Sequence, residues 1–505
     1  MKKIKKALVS VYHKEGLKEI LKKLDASGVE IYSTGGTWKH LFNLGIDAVK
    51  VEDITGYPSI LGGRVKTLHP KVFGGILARG DNAEDLKQLE EYEIPAFDLV
   101  IVDLYPFEDT VANTRNEAEI IEKIDIGGIS LIRAAAKNYK DVAVVPSKEY
   151  YKEFYDLIDK NDCSTSLDDR KRLAMGAFKV SSHYDTAIFK YFQGGDELQA
   201  LSISEVEARA LRYGENPHQK GIFYGRLEDM VQQLHGKEIS YNNLLDIDAA
   251  IRLIADFEET TVAILKHNNA CGIASRPVLK EAWEKALEGD PVSAFGGIIV
   301  TNAAIDYETA QEIDKLFYEV VIAPDYSYEA LELLKRKKTR IILKLRHTRF
   351  PEKIIRSALN GFLMQDTDTR TEAAEDMKPV TKVHPAESQY EDLVFANKVV
   401  KHTKSNAMVI VKGKQLIASG LGETSRVDAF KQALEKAKGF NKDVKGAVLA
   451  SDAFFPFNDN VALAHSVGIN TVVQPGGSKR DSDSIEFCDE NGMAMCFTGT
   501  RHFKH

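Results

Sequence analysis

Short apolar runs separated by amphipathic stretches fill the first 160 positions. Residues 7–12, 29–33, 98–104 and 142–145 are apolar nearly throughout, as strands buried on both faces are. Residues 17–24, 36–44, 117–124 and 130–136 carry the helical period between them. Such an alternation predicts a parallel sheet covered by helices on both faces. Residues 167–192 predict one long helix, with Gly176 its one strong internal breaker. The string Gln193-Gly-Gly-Asp196 then predicts a break, and a domain boundary near residue 200. Strands are predicted again at 262–266, 298–301, 340–345, 407–412, 446–451 and 470–474. A second α/β region, divisible into two lobes, therefore fills 200–505. No short tandem repeat is visible, which argues against a solenoid.

At 505 residues the chain is long enough for two or three domains. Its 44% hydrophobic and 28% charged residues are ordinary for a soluble globular protein. Lys plus Arg is 67 against 75 Asp plus Glu, net −8, which excludes a general nucleic-acid coat but leaves room for a local basic site. Eight Lys or Arg fall within 335–349, but no aromatic platform is interleaved with them, so they read as a helix end and a strand with exposed charge. Cys163, Cys271, Cys488 and Cys496 form no Cys-x-x-Cys pair and no four-ligand zinc spacing. A reducing cytoplasm is expected. The N-terminal apolar run spans about six residues, too short for a secretory leader. No run nears the roughly 18 residues of a membrane span.

Five motifs carry candidate chemistry. Ser33-Thr34-Gly35-Gly36-Thr37 lies between a strand and a helix, where small residues aim amides at a phosphate or merely make a capped turn. Gly62-Gly63-Arg64-Val65-Lys66-Thr67-Leu68-His69-Pro70 brings three anion-binding groups together without nucleoside-triphosphate loop spacing. Tyr105, Asp125 and Lys137 suit proton transfer if they converge. Arg212-Tyr213-Gly-Glu-Asn-Pro-His-Gln219 pairs a phosphate fork with a stacking ring, or is a surface turn. Lys266-His267 closes an apolar strand before a turn on polar residues and Gly272, placing a base beside an oxyanion-stabilising ammonium. Cys271 has no second histidine placed to activate it. Gly420-Leu-Gly-Glu-Thr-Ser425 misses the dinucleotide fingerprint. The Phe454-Phe455-Pro456-Phe457 string reads as core, or as a wall for a flat heterocycle. The basic tail Thr500-Arg-His-Phe-Lys-His505 would ordinarily be disordered.

Taken in order from Val9 to His505, these strings, with Asp125-Ile-Gly-Gly128, Arg133-Ala-Ala-Ala-Lys-Asn138 and Ser451-Asp-Ala-Phe-Phe-Pro-Phe457, are specific. The chain resembles the bifunctional purine-biosynthesis family of phosphoribosylaminoimidazolecarboxamide (AICAR) formyltransferase / IMP cyclohydrolase. The resemblance implies an α/β fold: a methylglyoxal-synthase-like cyclohydrolase over 1–200, then a transformylase of two cytidine-deaminase-like lobes over 201–505. It implies formyl transfer from 10-formyltetrahydrofolate to AICAR, giving FAICAR, then closure of FAICAR to IMP with loss of water. It further implies no catalytic metal, a structural potassium ion without assignable ligands, and a homodimer with transformylase sites at the interface. No nucleic-acid or membrane partner is expected.

By that resemblance His267 is the transformylase base and Lys266 its electrostatic partner. Arg212, Tyr213, Asn243, Asn406, Phe454, Arg501 and His505 hold the nucleotide, which gives the tail an ordered role. Phe295, Gly296, Asn406 and Asp459 lie near the folate or the formyl group. In the cyclohydrolase, Ser10, Lys14, Ser33, Thr34, Gly35, Gly36, Thr37, Arg64, Lys66, Thr67 and Gly127 bind nucleotide and phosphate. Lys66, Tyr105, Asp125 and Lys137 handle oxyanion and proton. Two departures from the family pattern stand out: Asp103, where many relatives have Asn, adds a possible charge near the cyclohydrolase site, and Ala270 replaces a rigid Pro in the turn presenting His267. The alternatives are a member with one dead site, or a nucleotide-sensing regulator. A zinc deaminase would need a Cys-x-x-Cys that is missing.

Overall fold

The computed structural model describes residues 1–195 and 200–505. The chain divides into two compact units, Met1–Val206 and Glu207–His505. The break read at 193–196 ends on Asp196, which lies outside the described residues. Among the described residues no helix is long and apolar enough to cross a membrane.

The first unit holds a five-stranded sheet in the order Val49–Lys50, Glu30–Ser33, Lys6–Ser10, Leu99–Val102, Ala143–Val145. Every pairing is parallel. The three central strands bury Ala7 to Val9, Ile31 to Ser33 and Leu99 to Val102, which accounts for their uniform apolarity. The strand read at 7–12 stops at Ser10 because the next amides leave the sheet. Val11 donates to Thr37 Oγ1 and Tyr12 to the Asp103 carboxylate. The strand read at 98–104 ends at Val102 for the same reason, since Asp103 turns back to that loop. The long helix is Leu167–Gln193, opened by a capping box between Ser166 and Asp169. Gly176 does not break it; a Cβ there would stand 2.7 Å from the Tyr150 ring.

The second unit contains two lobes with one topology. The first orders its strands Val231–His235, Ile341–Leu345, Val320–Ala323, Ile298–Thr301, Thr261–Lys266, Asn269–Ser275. The second orders Lys378–Pro379, Ala494–Phe497, Thr471–Gln474, Val448–Ser451, Met408–Val411, Leu416–Gly420. Each has an antiparallel edge, two parallel pairings and an antiparallel hairpin at the other edge. Helices fall at matching places, with Tyr241–Ala255 and Glu387–Lys401 each preceding the hairpin. One hydrophobic core, from Val231 to Cys496, includes side chains from both lobes.

The duplication reaches individual contacts. A Cβ on Gly272 would lie 1.8 Å from the Ala286 carbonyl oxygen, and one on Gly420 1.6 Å from that of Ala429. Each glycine lets a helix press onto the hairpin strand. Both obstacles are backbone and cannot swing aside. Gly272→Ala and Gly420→Ala are therefore each expected to destabilise the second unit by about 1–3 kcal/mol or more, read as a lowered midpoint in urea unfolding.

Two hairpins escape the apolar pattern: Ala208–Leu211 with Gly221–Tyr224, and Lys353–Ala358 with Gly361–Asp366. Part of the basic run at 335–349 is charge-paired. Lys335 meets Glu332, Lys344 meets Asp325, and buried Arg340 joins Asp314 at 2.5 Å and lies over the Tyr318 ring.

Candidate functional site

In the first unit the sheet reverses direction of growth between Lys6–Ser10 and Leu99–Val102, and ligands favour the carboxyl ends of strands at such a point. A cavity of about 570 Å³ opens there. Of the expected residues, Ser10, Lys14, Thr34, Gly36, Thr37, Arg64, Lys66, Thr67, Tyr105, Asp125 and Gly127 line it. Helix Gly35–Asn43 points its first turn at the cavity with no side-chain cap on its amides, a ready anion site. Ser10 and Thr34 hydroxyls lie 2.8 Å apart, and Thr37 Oγ1 bonds both backbone groups of Val11. Ser33 and Gly35 are not part of the lining. The Ser33 hydroxyl donates to the Val9 carbonyl and ties two strands together.

Lys14 is held below the usual amine range by burial and by nearby Lys66, against the pull of Asp103 and Glu15. Arg64 is exposed and pairs with Glu122 across the rim. Asp125 accepts from the Gly128 amide at 2.6 Å, and burial nevertheless raises it above the ordinary carboxylate range. Burial and the adjacent Asp125 likewise raise Tyr105. A raised carboxyl beside a phenol and an ammonium is a proton-transfer set. Gly127 leaves little room beside it, since a Cβ there would sit 3.1 Å from Thr67 Oγ1.

Lys137 is not brought to this cavity. It ends the helix Gly127–Lys137, of which Gly127, Gly128 and Leu131 line the cavity. His69 and Pro70 are structural, since His69 caps helix Pro70–Leu77 by accepting the Lys71 amide. Asp103 does line the cavity, but its charge is committed to the Tyr12 and His13 amides and to His13 Nδ1 at 2.9 Å. The motifs gave no sign of Lys123, whose ammonium lies 5.4 Å from the Tyr12 ring and 5.6 Å from that of Tyr105.

In the second unit, His267 and Asn268 form a two-residue turn with φ of 51° and 64° between paired Lys266 and Asn269. Beneath it Asp246 accepts the Asn268 amide at 2.6 Å, and burial raises this carboxyl. Lys266 Nζ donates to the Phe295 carbonyl at 2.9 Å. Gly296, with φ +75°, donates to the Phe317 carbonyl. Ala270 is not in the turn. It pairs with Leu265 in an edge strand, where a proline is tolerated, so its effect on His267 is indirect. Burial pushes the Cys271 thiol up to about 12, which removes it as a nucleophile.

Asn269 Oδ1 accepts the Lys404 amide, joining the turn to Asn406, which bonds the Glu423 carbonyl through its side chain. Ser405 exchanges bonds with Lys504, so the tail is pinned beside Asn406. Arg501 stacks on Phe503 at 4.3 Å. His505 is exposed at the end of this tail. Phe455 is fully buried while Phe454 and Phe457 are exposed, so the aromatic string divides between core and surface. Asp459 opens helix Asp459–Ser466. Arg212 lies near its own Tyr213 ring, and the loop after it touches Asn242 through the Glu215 carbonyl. Asn243 is committed elsewhere, within the cap of Ser240 and to Glu319 at 3.1 Å. Sequence reasoning missed Arg426, which is buried against Asp452 and lies 5.7 Å from the Phe503 ring. No motif marks it.

The family model described as AICARFT/IMPCHase bienzyme matches residues 135–436, and the MGS-like domain model matches residues 16–130. A protein of Bacteroides thetaiotaomicron called bifunctional purine biosynthesis protein PurH is 60% identical over 100% of this chain and 99% of its own length. Proteins of the same description from Acetivibrio thermocellus and Aquifex aeolicus are each 47% identical, over 99% of this chain and 100% of theirs. The chain therefore belongs to the AICARFT/IMPCHase bienzyme family, a bifunctional formyltransferase and cyclohydrolase of the last two steps of IMP synthesis.

Proposed function

We propose that the two activities are divided between the two compact units, with ring closure at the cavity of the first and formyl transfer at the Lys266–His267 turn of the second. The observation that carries this division is the gathering of Lys66, Tyr105 and Asp125 at one cavity, within a different unit from the His267 turn. In ring closure the carboxamide nitrogen of FAICAR attacks its own formyl carbon. The carboxamide nitrogen and the formamide nitrogen each give up one proton, the formyl oxygen gains both, and water departs as a carbon–nitrogen double bond forms. The reaction is intramolecular, so positioning and proton handling are what the protein supplies. Lys66 stabilises the oxyanion, while Asp125 and Tyr105 relay protons. The uncapped helix start at Gly35–Gly36, with Ser10, Thr34, Thr37, Lys14, Arg64 and Thr67, receives the anionic nucleotide.

In formyl transfer the AICAR amine attacks the formyl carbon of 10-formyltetrahydrofolate. His267 takes the amine proton, Lys266 stabilises the oxyanion, and tetrahydrofolate leaves with a proton on N10. Arg212, Tyr213, Asn406, Phe454 and Arg501 hold the nucleotide, and Phe295, Gly296 and Asp459 face the folate. Among the described residues no three His, Cys, Asp or Glu side chains gather for a metal.

The enzyme acts in the cytoplasm as a homodimer whose transformylase sites are completed by a second copy. What supports the dimer is the arm Lys353–Ala358/Gly361–Asp366, which exposes Ile354, Ile355, Phe362, Leu363 and Met364. Purified chain given AICAR and 10-formyltetrahydrofolate is expected to yield IMP and tetrahydrofolate, separated by chromatography. On dilution through the dimer dissociation range, formyl transfer per chain is expected to fall while closure of supplied FAICAR does not. Parallel loss of both activities, or of neither, would contradict a shared transformylase site.

A further inference from the structure

The tail ends beside a buried ion cluster that the chemistry above does not use. The His502 side chain is 2% exposed. Its Nδ1 lies 2.7 Å from Asp368 Oδ2 and its Nε2 3.0 Å from Glu372 Oε2. Both ring nitrogens face carboxylates, so both donate and the ring is an imidazolium. Glu372 is fully buried, accepts from Asn397 Nδ2 at 2.7 Å and lies 3.2 Å from Arg370. Lys401 and the Thr500 hydroxyl also act on this cluster. Burial opposes the charged ring, but the two carboxylates outweigh it and push His502 up to about 9.

Two residues of the same tail, Arg501 and His505, are those assigned to the nucleotide. Arg501 precedes it, and Phe503, beneath both Arg501 and Arg426, follows it. The His502 amide also donates to the Asp452 carbonyl. We propose that His502 is a positioning residue of the transformylase: clamped between Asp368 and Glu372, it sets the tail so that Arg501 and His505 reach the nucleotide. The inference rests on the assignment of the tail to nucleotide binding. A second anchor is Lys504, whose ammonium donates to the His402 carbonyl at 2.8 Å and is held down to about 8 by burial.

The test uses the full-length chain. His502→Gln keeps a neutral hydrogen-bonding group and removes the cation. Losing one partner of a buried charge pair is costly, and a tenfold change corresponds to about 1.4 kcal/mol. The KM for AICAR is expected to rise about tenfold or more, while kcat, the KM for the formyl donor and FAICAR closure change little. In the wild type the KM for AICAR rises as pH passes about 9, after an earlier step near 8 from Lys504. His502→Gln keeps the step near 8 and loses the later one. Asp368→Asn, at a half-exposed position, repeats the effect more weakly and decides the matter if His502→Gln does not fold. An unchanged KM for AICAR with the later step retained overturns the clamp. So does a uniform fall in kcat together with a lowered melting temperature. Arg501→Ala separates the two levels. If it leaves the KM for AICAR unchanged, the tail assignment itself fails. If it raises that KM while His502→Gln does not, only the clamp fails.

Discussion

Replacing His267 by alanine is expected to lower formyl transfer by about 10²–10⁴ and to leave closure of supplied FAICAR at the wild-type rate. The imidazole is the group assigned to take the amine proton, and an aryl-conjugated amine is a weak nucleophile without that help. Single-turnover measurement of tetrahydrofolate release reads the first effect, and IMP formation from FAICAR reads the second. The backbone at this position supplies a control. His267 sits at φ 51°, in the left-handed region that side chains with a Cβ rarely occupy. His267→Gly should therefore be as inactive as His267→Ala yet more stable than it, by about 1–2 kcal/mol. Full formyl transfer in either variant would remove His267 from the chemistry.

Asp125→Asn is expected to cut ring closure by about 10²–10⁴ without lowering stability. Burial raises the folded-state pKa of Asp125 above its unfolded value, so the folded protein binds the proton more tightly. Stability from this group is then greatest at low pH and declines as pH rises from the unfolded carboxylate value through the raised one. At neutral pH the buried charge is a burden, and the neutral amide relieves it while its oxygen still accepts the Gly128 amide. The melting temperature at pH 7 should hold or rise. The acid limb of the closure rate, set above the ordinary carboxylate range in the wild type, should disappear in the variant. A persistent limb would place the titrating group elsewhere.

The parallel sheet was legible because its central strands are buried on both faces and so are apolar without interruption. Strand ends were less legible. Residues 11–12 continue the apolar pattern and Leu104 resumes it after Asp103, but the amides of 11–12 and the Asp103 carboxylate bond across loops instead of along the ladder. The hairpin Lys353–Ala358/Gly361–Asp366 left no period-two signal because neither face is buried. Thr34, Gly36, Arg64, Lys66, Thr67 and Asp125 of the cavity lie in strings that the sequence marks, whereas Ser10 and Lys14 came only from the family resemblance. Lys137 was grouped with Tyr105 and Asp125 by residue type, but it ends a helix of which the earlier residues, not the last turn, line the cavity. The turn at His267 was read as a strand end, but His-Asn lacks the glycine that marks a two-residue hairpin, so its tightness and the place of Ala270 were not visible.

The twin lobes give the same corner two occupations. In the first, Asp246, sixth residue of its helix, holds the turn that bears His267. In the second, Asp392, also sixth, accepts the Gly413 and Lys414 amides at 2.8 and 2.6 Å, with φ of 59° and 50° in that turn. Glycine stands where the first lobe has histidine. Its carbonyl and that of Lys414 accept from Arg276 and Ser275 of the first lobe. The second turn is thus a joint between lobes, and the first carries the side chain proposed as the base. Architecture was copied and chemistry was not: the molecule has one tool-holder and one dowel cut from the same pattern.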